Sequence, residues 1–155
     1  MRKRNAIFLF LMVFALGTSA QIISLKNSTF KLSITPNGQL SELAENSSGK
    51  SYLAPGEKAP LLKIRIGDQW EEPSKAAFNE KSGIISLNYP ASKITAEIKV
   101  VSYPMYMSFR LSKLSEKDKV NAVCWGPYPT TIGQTIGEVI GVVRDGQFAI
   151  GIQAL

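Results

Sequence analysis

The sequence predicts an all-β chain folded as an antiparallel β-sandwich, and three observations carry that prediction. Apolar and polar residues alternate with period two in run after run. Turn-forming residues fall between the runs, and no window of about a dozen residues carries helical spacing.

The first alternating run is Phe30, Leu32 and Ile34, set against Lys31 and Ser33. Leu62, Ile64 and Ile66 follow, set against Lys63 and Arg65. Ile85, Leu87 and Tyr89 come next, then Ile94, Ala96, Ile98 and Val100 against Thr95, Glu97 and Lys99. Met105, Met107, Phe109 and Leu111 are expected to face inward, with Tyr106, Ser108 and Arg110 in water. Phe148, Ile150 and Ile152 complete the series against Ala149, Gly151 and Gln153. Successive side chains of a strand point to opposite faces, so each run offers one face to a core and the other to solvent.

The turns fit these boundaries. In Thr35-Pro36-Asn37-Gly38, Pro36 presets its backbone angle and Gly38 takes the left-handed position. Gly67-Asp68 suits a two-residue hairpin after Ile66, and Asp145-Gly146 suits another after Val143. Lys81-Ser82-Gly83 and Tyr89-Pro90 punctuate the middle. Residues 111–119, short and mostly polar, read as a loop containing one turn.

Residues 1–20 read as a secretory signal. Arg2, Lys3 and Arg4 form its positive end, and Ala6 to Leu16 an apolar core short for a bilayer. Gly17-Thr18-Ser19-Ala20 then supplies small residues before a cut at Ala20/Gln21. The alternative is an uncleaved N-terminal anchor. Gln21 stands where a bacterial lipid anchor has Cys, which points to an exported product, periplasmic, on the outer surface or extracellular, with no membrane span once the signal is removed. Residues 21–155 then make one β-sandwich domain. Its apolar, strand-like end over residues 148–155 predicts a domain truncated at its C-terminus, a piece of something longer.

Charge and composition exclude several functions. The 18 basic and 12 acidic residues give +6, but Arg2, Lys3 and Arg4 leave with the signal, and 15 against 12 remain. Those 15 are scattered among acids with no basic stripe, so nucleic acid is not expected as a partner. The chain has no His, which removes His-based triads, acid–base pairs and His-ligated metal sites. With one Cys it holds no intramolecular disulfide or CxxC motif. No metal and no cofactor is expected.

Cys124 lies in an apolar run ending at Trp125 and reads as a small buried hydrophobe in a strand, the alternative being a reactive thiol. Asn27-Ser28-Thr29 and Asn46-Ser47-Ser48 match the N-glycosylation pattern. The acids Glu71, Glu72, Glu138 and Asp145 form no evident pair for glycoside hydrolysis, which needs two carboxyls roughly 5–10 Å apart. No catalytic residue is assigned. The most unusual stretch is Trp125-Gly126-Pro127-Tyr128-Pro129, where two large rings are held stiffly by Gly and Pro. Trp125, Tyr128 and, with less context, Trp70 are the candidate carbohydrate or interdomain contacts, because rigid rings with polar handles stack on sugars. The alternative is that Trp125 caps the core and Tyr128 covers a seam, and Trp70 has the same ambiguity.

Near the start, Ile22 to Lys26, Phe30-Lys31-Leu32-Ser33-Ile34, Pro36-Asn37-Gly38, Leu40-Ser41-Glu42-Leu43, Gly49-Lys50 and Tyr52-Leu53 follow one another. This order resembles the opening of N-terminal β-supersandwich domains, of galactose-mutarotase-like fold, in secreted Bacteroidetes-type glycoside hydrolases. The loop at Trp125–Thr131 and the hairpin of Val142-Val143-Arg144-Asp145-Gly146 look similar to later strands of such domains. The resemblance implies a scaffold that packs on a catalytic domain downstream in the parent chain and touches substrate at its edge. Mutarotases of that fold rely on His, so their activity does not carry over. The expected function is a non-catalytic carbohydrate-binding or scaffolding module of a polysaccharide-degrading enzyme. The alternative is an immunoglobulin-like structural or adhesive surface domain.

Overall fold

Residues 21–137 and 141–152 are described by a computed structural model; the expected signal over residues 1–20 and Glu138 lie outside them. The chain is all-β and its sheets are antiparallel, arranged as a β-sandwich-like fold with no closed barrel among the described residues. The first sheet holds β1 (Ile23–Lys26), β2 (Phe30–Ile34) and β3 (Leu40–Glu45) in chain order. The second places β4 (Leu62–Ile66) and its hairpin partner β5 (Gln69–Glu71) beside a later strand, β10 (Ala122–Trp125), in the order β10-β4-β5. The third and largest is β6 (Lys75–Asn79), β7 (Ile84–Tyr89), β8 (Ile94–Ser102) and β9 (Met107–Leu114). A last sheet joins β11 (Thr135–Ile136), β12 (Gly141–Arg144) and β13 (Ala149–Ile152).

The first three sheets share one core. Ile23, Leu25, Leu32, Ile34, Leu40 and Leu43 enter it from the first sheet, and Leu62 and Ile64 from the second. The third contributes Ile85, Leu87 and Tyr89 with Ile94, Ala96, Ile98 and Val100, all buried. Period-two alternation produces this directly. Along β8 every second side chain from Ile94 to Val100 is buried while Thr95 and Lys99 stay in water. Burying each such Leu or Ile stabilises the fold by about 1.5–3 kcal/mol.

Turns and crossovers lock the layers. The β2–β3 turn closes with the Gly38 amide donating to the Thr35 carbonyl at 2.9 Å, and Gly38 adopts φ +79°. The Pro36 carbonyl accepts from the Ala76 amide at 2.6 Å, tying this turn to the third sheet. Gly67-Asp68 forms the two-residue turn its sequence predicts, with Ile66 opposite Gln69. The last sheet reaches the core through Ile150, and Phe148 stacks on buried Tyr52 at 4.5 Å.

Five local expectations are corrected. Met105 is 77% exposed, because β9 starts at Met107 and Met105 lies in the hairpin tip before it. Ile152 is exposed although Ile150, two residues earlier, packs on the core. Residues 111–114 belong to β9 rather than to a loop, and the single turn expected there is a 3-10 turn at Lys117–Lys119. The Asp145 turn spans four residues, since Arg144 pairs with Ala149. Ser33, expected in water, is buried, with its hydroxyl donating to the Glu42 carboxylate at 2.8 Å.

Candidate functional site

The three aromatic candidates all belong to the second sheet or the segment leaving it, and the structure divides them between its two faces. Trp125 ends β10 directly across from Leu62. Directly opposed residues share a face, so Trp125 lies on the core side, where it is partly buried and packs on the apolar cluster. Tyr128 packs there too, and its hydroxyl donates to the Leu61 carbonyl at 2.6 Å. Burial pushes the Tyr128 phenol well above the ordinary tyrosine range, so its hydroxyl stays a neutral donor committed to the fold. The Pro129 carbonyl accepts from the Ala54 amide at 3.0 Å, fixing the loop that carries both rings. The stiff Gly-Pro segment thus seats two rings against the interior.

Trp70 lies on the other face. It sits on β5 opposite Arg65, three residues along β4 from Leu62 and therefore pointing away from the core. The indole is 45% exposed. β5 is an edge strand of its sheet, and both residues that crowd the ring come from β4. Lys63 Nζ stands 5.3 Å from the ring centroid and Arg65 Cζ 5.8 Å. Cation–π contacts at exposed sites contribute about 0.5–1 kcal/mol each and hold the indole in one orientation. Arg65 Nε is buried with no hydrogen-bond acceptor among the described residues. Cys124 opposes Lys63, so it shares this outer face as a half-buried free thiol. Its place in a strand is as expected; its burial is only partial, because the face it occupies is not the core face.

The remaining candidates have structural work. The Glu71 carboxylate accepts from the Ala91 amide at 2.7 Å and the Ser92 amide at 3.2 Å, holding the β7–β8 turn. Glu72 faces Lys58 at 3.7 Å and accepts from Gln39 Nε2 at 3.3 Å. Asp145 caps its own turn, and the amides of Gln147 and Phe148 hold its carboxyl below the usual range. Among the described residues no group of three or more Cys, Asp or Glu is gathered in metal-binding fashion.

Two further surface features stand out. The β8–β9 tip stacks Tyr103 on Tyr106 at 4.5 Å, with exposed Met105 between them in sequence. Each ring covers a face of the other. A shallow groove on the first sheet is lined by Ser24, Lys31, Ser33, Ser41 and Glu42. Its charges satisfy each other: Lys31 pairs with Glu42 at 2.7 Å and Ser33 donates to the same carboxylate. Sequence reasoning passed over the two cations beside Trp70. The signal was present, since a two-residue turn at Gly67-Asp68 forces Arg65 opposite Trp70.

Comparison with protein-family models, curated proteins and solved structures returned no match to this chain. No helix among the described residues is long and apolar enough to cross a membrane.

Proposed function

We propose that the chain is a non-catalytic, exported β-sandwich module that binds a glycan by stacking it on Trp70, serving a polysaccharide-degrading enzyme whose catalytic domain follows in the parent chain. The observation that carries the binding reading is the exposed Trp70 indole, oriented by Lys63 and Arg65 on the outer face of an otherwise core-committed sheet. The parent enzyme rests on the resemblance of the first strands and turns to supersandwich domains. Trp125 and Tyr128 support the module by packing, not by display.

Tryptophan fluorescence of the purified chain, titrated with a panel of soluble plant, algal and microbial polysaccharides, tests this. Binding shifts or quenches the emission, Trp70→Ala removes the response, and its circular dichroism stays that of the parent. A flat response across the panel removes the glycan. In that case the Tyr103–Met105–Tyr106 tip, apolar and exposed, favours the second reading, an immunoglobulin-like adhesive domain that docks on surface proteins.

A further inference from the structure

We infer that the Trp70 face selects acidic sugars, with a uronate ring stacked on the indole and its carboxylate held by Arg65 and Lys63. This deepens the glycan reading above and rests on it.

The two cations carry the inference. Lys63 and Arg65 alternate on one face of β4, so both project beside Trp70. Five cations elsewhere on the surface pair with carboxylates: Lys31 with Glu42, Lys50 with Asp145, Lys58 with Glu72, Lys113 with Glu97, and Lys119 with Glu116. Among the described residues neither Lys63 nor Arg65 has a carboxylate within the 4.0 Å that defines those pairs. Glu71, close by in sequence, spends its oxygens on the Ala91 and Ser92 amides.

Two like charges on adjacent outward positions repel each other, and an anion between them relieves that repulsion. Arg presents a planar fork that takes a carboxylate through two parallel hydrogen bonds, while Lys adds a mobile point charge. An exposed indole adds a flat apolar surface for a pyranose ring. A neutral sugar uses the indole and leaves both cations unanswered; a uronate uses all three groups. A nucleic acid also offers rings and anions, but its backbone calls for a track of positive charge. The site supplies two cations and one ring.

The test centres on polygalacturonate and its methyl ester, which differ chiefly in charge. The purified chain is titrated with polygalacturonate, alginate and glucuronoxylan, with methyl-esterified polygalacturonate and neutral galactan alongside, and with a single-stranded oligonucleotide of matched charge. At least one uronate polymer is expected to bind roughly tenfold more tightly than its neutral counterpart, a preference of the size one charge-assisted pair provides. That preference should shrink between about 0.05 and 0.15 M salt, as screening shortens the reach of the cations. Lys63→Gln and Arg65→Gln each reduce it, and the double variant binds acid and ester alike. Equal binding of polygalacturonate and its methyl ester, with no other uronate preferred, overturns the inference while leaving glycan binding in place. Binding of the oligonucleotide as tight as that of the best uronate overturns it in favour of a general polyanion surface. Failure to bind any polymer removes the inference and the glycan reading together. The acid–ester comparison uses the unaltered chain, so it holds even where a variant misfolds.

Discussion

Tyr89 and Tyr128 donate their hydroxyls to adjacent carbonyls, those of Leu62 at 2.9 Å and Leu61 at 2.6 Å. One ring comes from β7 in the largest sheet and the other from the loop after β10. They converge on the two residues that lead the chain into β4, and therefore on the strand that carries Lys63 and Arg65. Burial raises both phenols well above the ordinary range, so both remain neutral donors around neutral pH. Tyr89→Phe and Tyr128→Phe should each cost about 1–2 kcal/mol, the loss expected when a buried carbonyl gives up its donor. Urea midpoints will show this as a downward shift at unchanged slope. A neutral Tyr89→Phe would mean that the Leu62 carbonyl is content with its ladder partner.

Tyr52 makes the opposite case. Its hydroxyl is buried and has no partner among the described residues, while its ring stacks on Phe148 and lies 4.7 Å from Lys50 Nζ. Tyr52→Phe keeps the ring and removes an unsatisfied polar atom. Thermal unfolding should show stability unchanged or raised by up to about 1 kcal/mol. A clear loss would reveal a partner for that hydroxyl.

Two glycines in hairpin turns should respond differently to alanine. Gly38 combines φ +79° with a site where a Cβ would stand 2.7 Å from Pro73 Cγ. Gly67, at φ +56°, has open space around it. Gly67→Ala should therefore cost about 1 kcal/mol, the left-handed backbone penalty alone. Gly38→Ala adds an overpacking cost of about 1–3 kcal/mol. Equal denaturation midpoints for the two variants would show that Pro73 yields freely.

Acid should loosen the first sheet. The Lys31 ammonium and then the Ser33 hydroxyl hold the Glu42 carboxyl below its ordinary value of 4.5. A carboxyl whose folded pKa is depressed adds stability above its unfolded pKa, and that contribution is lost as pH falls through the folded value. Below about pH 4.5, stability should decline more steeply in the parent chain than in Glu42→Gln. The gap between them at neutral pH should be under about 1 kcal/mol, because the pair is a third exposed. Parallel pH profiles for the two proteins would count against the coupling.

The strands that the sequence announces most clearly are those with one face wholly in the core. In β7 and β8, burial repeats every second residue, and local alternation is then a sufficient guide. The pattern misleads at Met105, where apolar spacing begins before the strand does, since period alone does not mark a boundary. It is silent on β6, where Lys75 and Ala77 face water around buried Ala76 and only partly buried Phe78. The aromatic candidates show a different limit. Gly and Pro around Trp125 and Tyr128 signal rigidity, but which way a rigid ring points is decided by contacts far along the chain. Tyr128 finds its acceptor 67 residues away, at Leu61. The Trp70–Arg65 juxtaposition is local, fixed by a two-residue turn, and so was within reach of the sequence.

The turn between β1 and β2 bears on how the protein can be produced. Asn27 accepts the amides of Thr29 and Phe30 through Oδ1, its Nδ2 is buried, and its carbonyl accepts from Asn46 Nδ2 at 2.8 Å. Both asparagines head acceptor triplets, and of the two nitrogens that would carry a glycan, that of Asn27 is buried while that of Asn46 donates to the turn. A eukaryotic secretory host attaches sugar while the chain is still entering the lumen, before this turn has closed. A glycan on Asn27 would then have to displace its buried Nδ2 from the turn, and secreted material would divide into unmodified folded protein and chains whose first turn is disturbed. A bacterial host, or the pair of Thr29→Ala and Ser48→Ala, avoids that division.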